Sequence, residues 1–77
     1  MHPSGRNKRR KEIGLIQCVA KNIAKFRLKK KLSQEELRNK TGLEVARCES
    51  GKYDMTLTTI GILAKHLEIE SFLLLKK

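Results

Sequence analysis

The sequence predicts an all-α domain of about five short helices, and three observations carry that expectation. Apolar residues recur at three- and four-residue spacing over residues 12–30 and 56–67, the period of one helix face. Helix start and stop signals punctuate the middle of the chain: Ser33 with Glu36 at one boundary, Gly42 at another. No stretch alternates apolar and polar residues as a half-buried strand would.

The elements follow in order. Residues 1–11, MHPSGRNKRRK, hold Pro, Gly, Ser and a basic run with no apolar period, the composition of a disordered arm. From Glu12 to about Lys30, Ile13, Ile16, Val19, Ala20, Ile23, Ala24 and Phe26 fall on one face of a helix. Lys21, Lys25, Lys29 and Lys30 then project to solvent. Gly14 weakens the first turn, so regular helix is expected from about Ile16. Ser33 caps the second helix in a Ser-Gln-Glu-Glu capping box, Leu37 is its core residue, and Gly42 ends it. A third helix is expected from about Glu44 to Glu49, stopping at Ser50-Gly51. Residues 52–55 read as a loop, and Thr56 or Thr58 can cap a fourth helix carrying Leu57, Ile60, Leu63, Ala64 and Leu67. A last short helix, about Ile69 to Lys76, brings Phe72, Leu73, Leu74 and Leu75.

Composition narrows the class. A chain of 77 residues makes one domain, near the lower size at which an apolar core alone suffices. Two cysteines, Cys18 and Cys48, are too few for a disulfide framework and lack His or Cys neighbours at metal-ligand spacing, so buried free thiols are expected. No apolar run approaches the roughly 20 residues that cross a bilayer, and no signal-peptide apolar region follows the basic start. A cytoplasmic protein with no membrane partner is the expectation.

Charge is unevenly placed. Residues 1–31 carry eleven Lys or Arg against one acid, Glu12, while residues 32–77 carry seven of each sign. The whole net charge of +10 therefore sits in the arm and first helix. Such a field attracts a polyanion, and nucleic acid is the commonest in a cytosol; a solubilising face is the plainer alternative. The run Arg6, Lys8, Arg9, Arg10 and Lys11 has two open roles: entering a minor groove or binding phosphates, or supplying only non-specific attraction.

Several motifs in order carry a resemblance. They are Val19-x-x-x-Ile23-x-x-x-Arg27, then Leu32-Ser33-Gln34-Glu35-Glu36-Leu37, then Thr41-Gly42-Leu43, then Glu49-Ser50-Gly51-Lys52, and finally Thr56-Leu57-x-x-Ile60-x-x-Leu63-Ala64-x-x-Leu67. Residues 19–75, about three-quarters of the chain, resemble the Cro/cI-type (XRE-like) helix-turn-helix DNA-binding domain, whose fold is lambda-repressor-like. The resemblance implies that helices two and three form the motif, with helix three in the major groove of double-stranded DNA. It makes 12–77 a helix-turn-helix domain behind the arm. Ser33 and Lys52 would meet phosphates, and Gln34 would either bond a phosphate or support helix three. Glu44, Ala46 and Arg47 are left to face base edges, Arg47 foremost because it can bind guanine in a bidentate manner; a solvated charge near a helix end is its bland alternative. Arg27 and Glu49 would pair, tying the motif to the scaffold.

Two departures fall inside the motif. The family usually has four residues between the apolar residue after the turn glycine and the apolar residue of helix three; here only Glu44 separates Leu43 from Val45. The three missing residues amount to about 4.5 Å of helix and roughly 300° of rotation, a net displacement near 60°. Val45 and Cys48 can then still face the core, but the turn where base contacts cluster is short. The second departure is Arg38, where the family prefers a small residue; Arg there must snorkel outward or push helices two and three apart. Either recognition is altered or helix three is rebuilt locally.

The function expected is a sequence-specific double-stranded DNA-binding transcriptional regulator, a repressor, with an atypically short recognition helix. No Gly-rich phosphate loop, Cys-His pair or carboxylate cluster suggests an enzyme, and no cofactor or metal is expected. His2 lies in the arm, and His66 is expected to meet helix-end carbonyls. The competing expectation is a protein-interaction module, such as an antitoxin or a regulator-partner domain. Phe72, Leu74 and Leu75 are assigned to a homodimer interface on this reading, the alternative being that the last helix is only the lid of the monomer's core.

Overall fold

A computed structural model describes residues 12–77, and the apolar stretches fold there as five helices with no strand among the described residues. They are α1 (Ile13–Lys29), α2 (Gln34–Thr41), α3 (Val45–Cys48), α4 (Leu57–Leu67) and α5 (Phe72–Leu75). The arm residues Arg6, Lys8, Arg9, Arg10 and Lys11 lie outside the described residues.

Helix α1 starts at Ile13, earlier than the glycine at 14 suggested. Ile16 N–H donates to the Glu12 carbonyl at 3.0 Å, so the turn containing Gly14 is hydrogen-bonded. A glycine costs a helix only about 0.5–1 kcal/mol, which extension of an already nucleated helix by one turn tolerates. The buried stripe nevertheless begins at Ile16 and runs through Val19, Ala20 and Ile23 to Arg27, leaving Ile13 exposed in place of the core position expected for it. The helix ends in a Schellman turn: Lys31 N–H reaches the Leu28 carbonyl and Leu32 N–H the Arg27 carbonyl. Lys31 occupies the left-handed position at φ 59° that glycine usually fills.

Ser33 and Glu36 close the expected capping box in both directions, at 3.0 and 2.7 Å. Gly42, at φ 76°, ends α2 with its N–H on the Arg38 carbonyl. Thr41 bridges the turn, its hydroxyl donating to the Leu37 carbonyl and accepting from Leu43 N–H. Helix α3 is a single turn, shorter than expected at both ends, and no side chain caps its start. Thr56, of the two candidates, caps α4 by accepting from Thr59 N–H at 3.1 Å. That helix ends in a second Schellman turn with Glu68 at φ 59°, and Lys30 pairs with Glu68 to join the ends of α1 and α4.

The core gathers Val19 and Ile23 of α1, Leu37 of α2, Val45 and Cys48 of α3, Ile60, Leu63, Ala64 and Leu67 of α4, and Leu74 of α5. Leu74 corrects an expectation. Assigned with Phe72 and Leu75 to a dimer interface, it is instead wholly buried within the monomer, while Phe72 stays 62% exposed and Leu75 exposed. The reason is how α5 docks. Asn22 of α1 donates its side-chain amide to the Leu74 and Lys76 carbonyls at 2.9 and 2.8 Å, fixing the turn with Leu74 inward. Burying one leucine contributes about 1.5–3 kcal/mol, which a four-residue helix cannot supply by itself. Cys18 sits in the same seam, half-buried rather than buried, with its Sγ 3.5 Å from the Lys76 carbonyl.

Candidate nucleic-acid interface

The motif region is built on one arginine. Arg27 comes from the buried stripe of α1, and Glu49 immediately follows α3. Arg27 Nε donates to Glu49 Oε2 at 2.7 Å and Nη2 to Oε1 at 3.1 Å, a bidentate pair whose side chains are only 11% and 6% exposed. Nη1 donates to the Leu32 carbonyl at 2.7 Å, so the guanidinium also holds the α1–α2 turn. The Gln34 amide adds a third bond to Glu49, donating to Oε1 at 2.8 Å. Of its two expected roles, Gln34 is seen in the one that supports helix three. The hydrogen bonds to Glu49 raise the Arg27 pKa above its ordinary value, burial opposing them, so the guanidinium stays charged.

With α3 tied at its end, Val45 and Cys48 point into the core and Ala46 and Arg47 point out. The short turn thus still presents apolar residues inward. Cys48 is a structural thiol: burial is the chief cause raising its pKa, with Glu49 adding to it. The polar loop that follows is folded back by Ser50. Its hydroxyl donates to the Arg47 carbonyl at 2.7 Å and accepts from Lys52 N–H at 3.2 Å, while Gly51 takes the left-handed conformation at φ 81°.

The expected site residues are therefore distributed as follows. Ser33 is exposed at the α2 N-terminus, its hydroxyl held in the capping box. Ala46, Arg47 and Lys52 are exposed, Arg47 and Lys52 lining one open cavity of about 370 Å³ with Ser50, Tyr53 and Asp54. Glu44 is exposed too but has a partner: Arg38 Nε lies 3.4 Å from its Oε2. Arg38 thus takes the outward course, and it meets the residue that precedes α3.

Sequence reasoning missed Tyr53. Its ring lies beneath the Arg47 guanidinium, whose central carbon is 4.1 Å from the ring centroid. Tyr53 is half-buried and packs on the core cluster. The signal available was an aromatic residue in an otherwise polar loop, six positions after an arginine. That spacing spans a turn of unknown path and fixes no contact.

His66 Nδ1 sits 3.0 Å from the Ile62 carbonyl of its own helix. Among the described residues no group of three or more His, Cys, Asp or Glu side chains could hold a metal ion, and no helix is long and apolar enough to cross a membrane. No family model matches the chain, and neither a curated protein nor a solved structure does so.

Proposed function

We propose that this chain is a sequence-specific double-stranded DNA-binding transcriptional regulator of the helix-turn-helix type, acting in the cytoplasm as a homodimer. The observation that supports it best is the pairing of a rigid anchor with a free reading surface. Glu49 is clamped by Arg27 and Gln34, while the opposite side of the same one-turn helix offers Arg47 and, after the Ser50 turn, Lys52. In this reading the basic arm and α1 draw the protein to DNA through their concentrated positive charge. Lys52 and Ser33 contact phosphates and set the register. Arg47 reads a guanine, and Ala46 offers a methyl contact to thymine. Glu44, engaged by Arg38, contributes less to reading than its position alone would allow. Repression follows from occupying a site that overlaps a promoter.

Selection of duplexes from a random pool tests the proposal, because a specific binder enriches a sequence and a merely basic one does not. Against an enriched duplex, Arg47→Ala should lower the preference over random DNA by about 1–3 kcal/mol, the worth of one bidentate base contact. Lys52→Ala should weaken both duplexes alike and reduce the salt slope by about one. Identical behaviour of the two variants would remove Arg47 as the reader.

A second reading, a protein-interaction module, has its own observation. An apolar groove of about 300 Å³ opens between the start of α1, the loop before α4 and the end of α5, lined by Leu15, Met55, Leu57 and Leu75. Leu57 is 81% exposed beside it. Sedimentation of the isolated chain distinguishes a self-associating face from one kept for another protein.

A further inference from the structure

Three arginines are described, and they differ in what their donors meet. Arg27 has Nε, Nη1 and Nη2 all bonded within the protein. Arg38 has Nε turned toward Glu44. Arg47 makes no side-chain hydrogen bond or ion pair among the described residues, yet it is not loose, because its guanidinium rests on the Tyr53 ring. A cation over an aromatic face uses the flat side of the guanidinium and leaves its in-plane N–H donors outward.

The geometry points to Tyr53 as a positioning residue that sets the sequence preference of this domain by holding the Arg47 side chain in the plane from which it reads a base edge. The inference rests on Arg47 being the reader. Two features make the ring a fixed platform. Tyr53 is half-buried and packs on the core cluster. The loop carrying it is pinned by Ser50 and turned by Gly51. An arginine without such a platform must be ordered when DNA arrives. Ordering one long side chain lowers affinity about 2- to 12-fold, and that factor applies only to the duplex Arg47 reads.

The test uses the full chain, a duplex enriched from a random pool by the wild-type protein, and the unselected pool as competitor. Tyr53→Phe keeps the ring and should keep the preference. Tyr53→Leu removes it and should lower the preference about 2- to 12-fold while leaving affinity for the pool within about twofold. The stack itself is read without DNA. Ring-current displacement of the Arg47 side-chain protons in the NMR spectrum should be present in wild type and Tyr53→Phe, and absent in Tyr53→Leu. Cooperative thermal unfolding establishes that each variant is folded. Should Tyr53→Leu not fold, the wild-type spectrum still decides: Arg47 protons no more displaced than those of Arg38 overturn the proposal. A preference unchanged by Tyr53→Leu but lost in Arg47→Ala overturns it too, while leaving Arg47 the reader. A preference unchanged in both variants, or a pool that enriches nothing, overturns the reading beneath it as well.

Discussion

Replacing Glu49 by Ala should be among the most damaging single changes in this chain. The substitution leaves the Arg27 guanidinium, itself mostly buried, with only the Leu32 carbonyl as partner, while the exposed Gln34 amide returns to water. Breaking one side of a buried pair costs about 3–5 kcal/mol, because a desolvated charge remains uncompensated. A domain of 66 described residues has a total stability of only about 3–10 kcal/mol. Glu49→Ala therefore removes about a third or more of the domain's stability. Glu49→Gln keeps the shape and one acceptor but leaves the same guanidinium charge uncompensated and sets an amide NH2 against one Arg27 donor, so a loss of about 3–5 kcal/mol is again expected. Removing both charges with Arg27→Met/Glu49→Met should cost less than Glu49→Ala alone, leaving mainly the unpartnered Leu32 carbonyl at about 1–3 kcal/mol. Urea denaturation followed by circular dichroism measures all three, compared at equal slope with denaturant. A loss below about 1 kcal/mol for Glu49→Ala is what a solvated surface pair gives, and it would refute the buried-anchor account. A double variant less stable than Glu49→Ala would refute the coupling.

Two further outcomes follow from the caps. Lys31 holds a left-handed conformation that costs a side-chain-bearing residue about 1–2 kcal/mol, so Lys31→Gly should stabilise the domain by a net ~0.5–1 kcal/mol after glycine's entropy is charged against it. Thermal unfolding should shift up by about 2–8 °C, and an unchanged or lower midpoint would mean that α1 does not end in this turn. Glu36 has its carboxyl pKa lowered from the ordinary 4.5, first by the Ser33 backbone N–H and then by the Ser33 hydroxyl. A depressed folded value contributes stability that is present above the unfolded pKa and lost as pH falls through the folded one. Stability should therefore fall on acidification below about pH 4.5; Glu36→Gln should flatten part of that slope in urea titrations, and an identical slope would remove the capping box as its source.

Much of this fold is legible because its signals are local. The capping box at Ser33, the Gly42 stop and the Thr56 cap depend on residues within four positions of one another, and each forms where the chemistry requires. The register of α5 is different. Four consecutive apolar residues, Phe72 to Leu75, satisfy any inward choice, and the selection of Leu74 comes from the Asn22 amide, 52 positions away. The start of α1 is hidden for a different reason: local propensity at Gly14 opposes a helix, but adding one turn to an already nucleated helix costs little. In the candidate site, the Arg27–Glu49 pair is legible only through family resemblance, since two charges 22 positions apart carry no mutual signal of their own. The Arg47–Tyr53 stack is not legible at all, because it depends on the path of a loop set by Ser50 and Gly51.

On the reading by resemblance, the two departures from the helix-turn-helix pattern are connected. That pattern's small residue at position 38 would suit a longer third helix packed closely over α2. Here α3 is a single turn, the residue before it is Glu44, and Arg38 extends outward to meet that carboxylate with neither side chain buried. With α3 only one turn long, Arg38 meets Glu44 at the N-terminal end of a helix that has no capping side chain. An exposed pair of this kind contributes about 0.2–1 kcal/mol, enough to orient the entrance to α3 but not to hold it, so the helix is held by Val45 and Cys48 in the core and by Glu49 at its other end. A one-turn helix presents few outward residues, and on the DNA-binding reading Arg47 alone among them can make a bidentate base contact, worth about 1–3 kcal/mol of discrimination. Specific binders commonly exceed their own non-specific affinity by about 4–10 kcal/mol. One copy falls short of that range and two copies, at about 2–6 kcal/mol, reach its lower part. On that reading, so short a helix would need pairing more than most, and the exposed Phe72 and Leu75 of α5 are apolar side chains that pairing would cover.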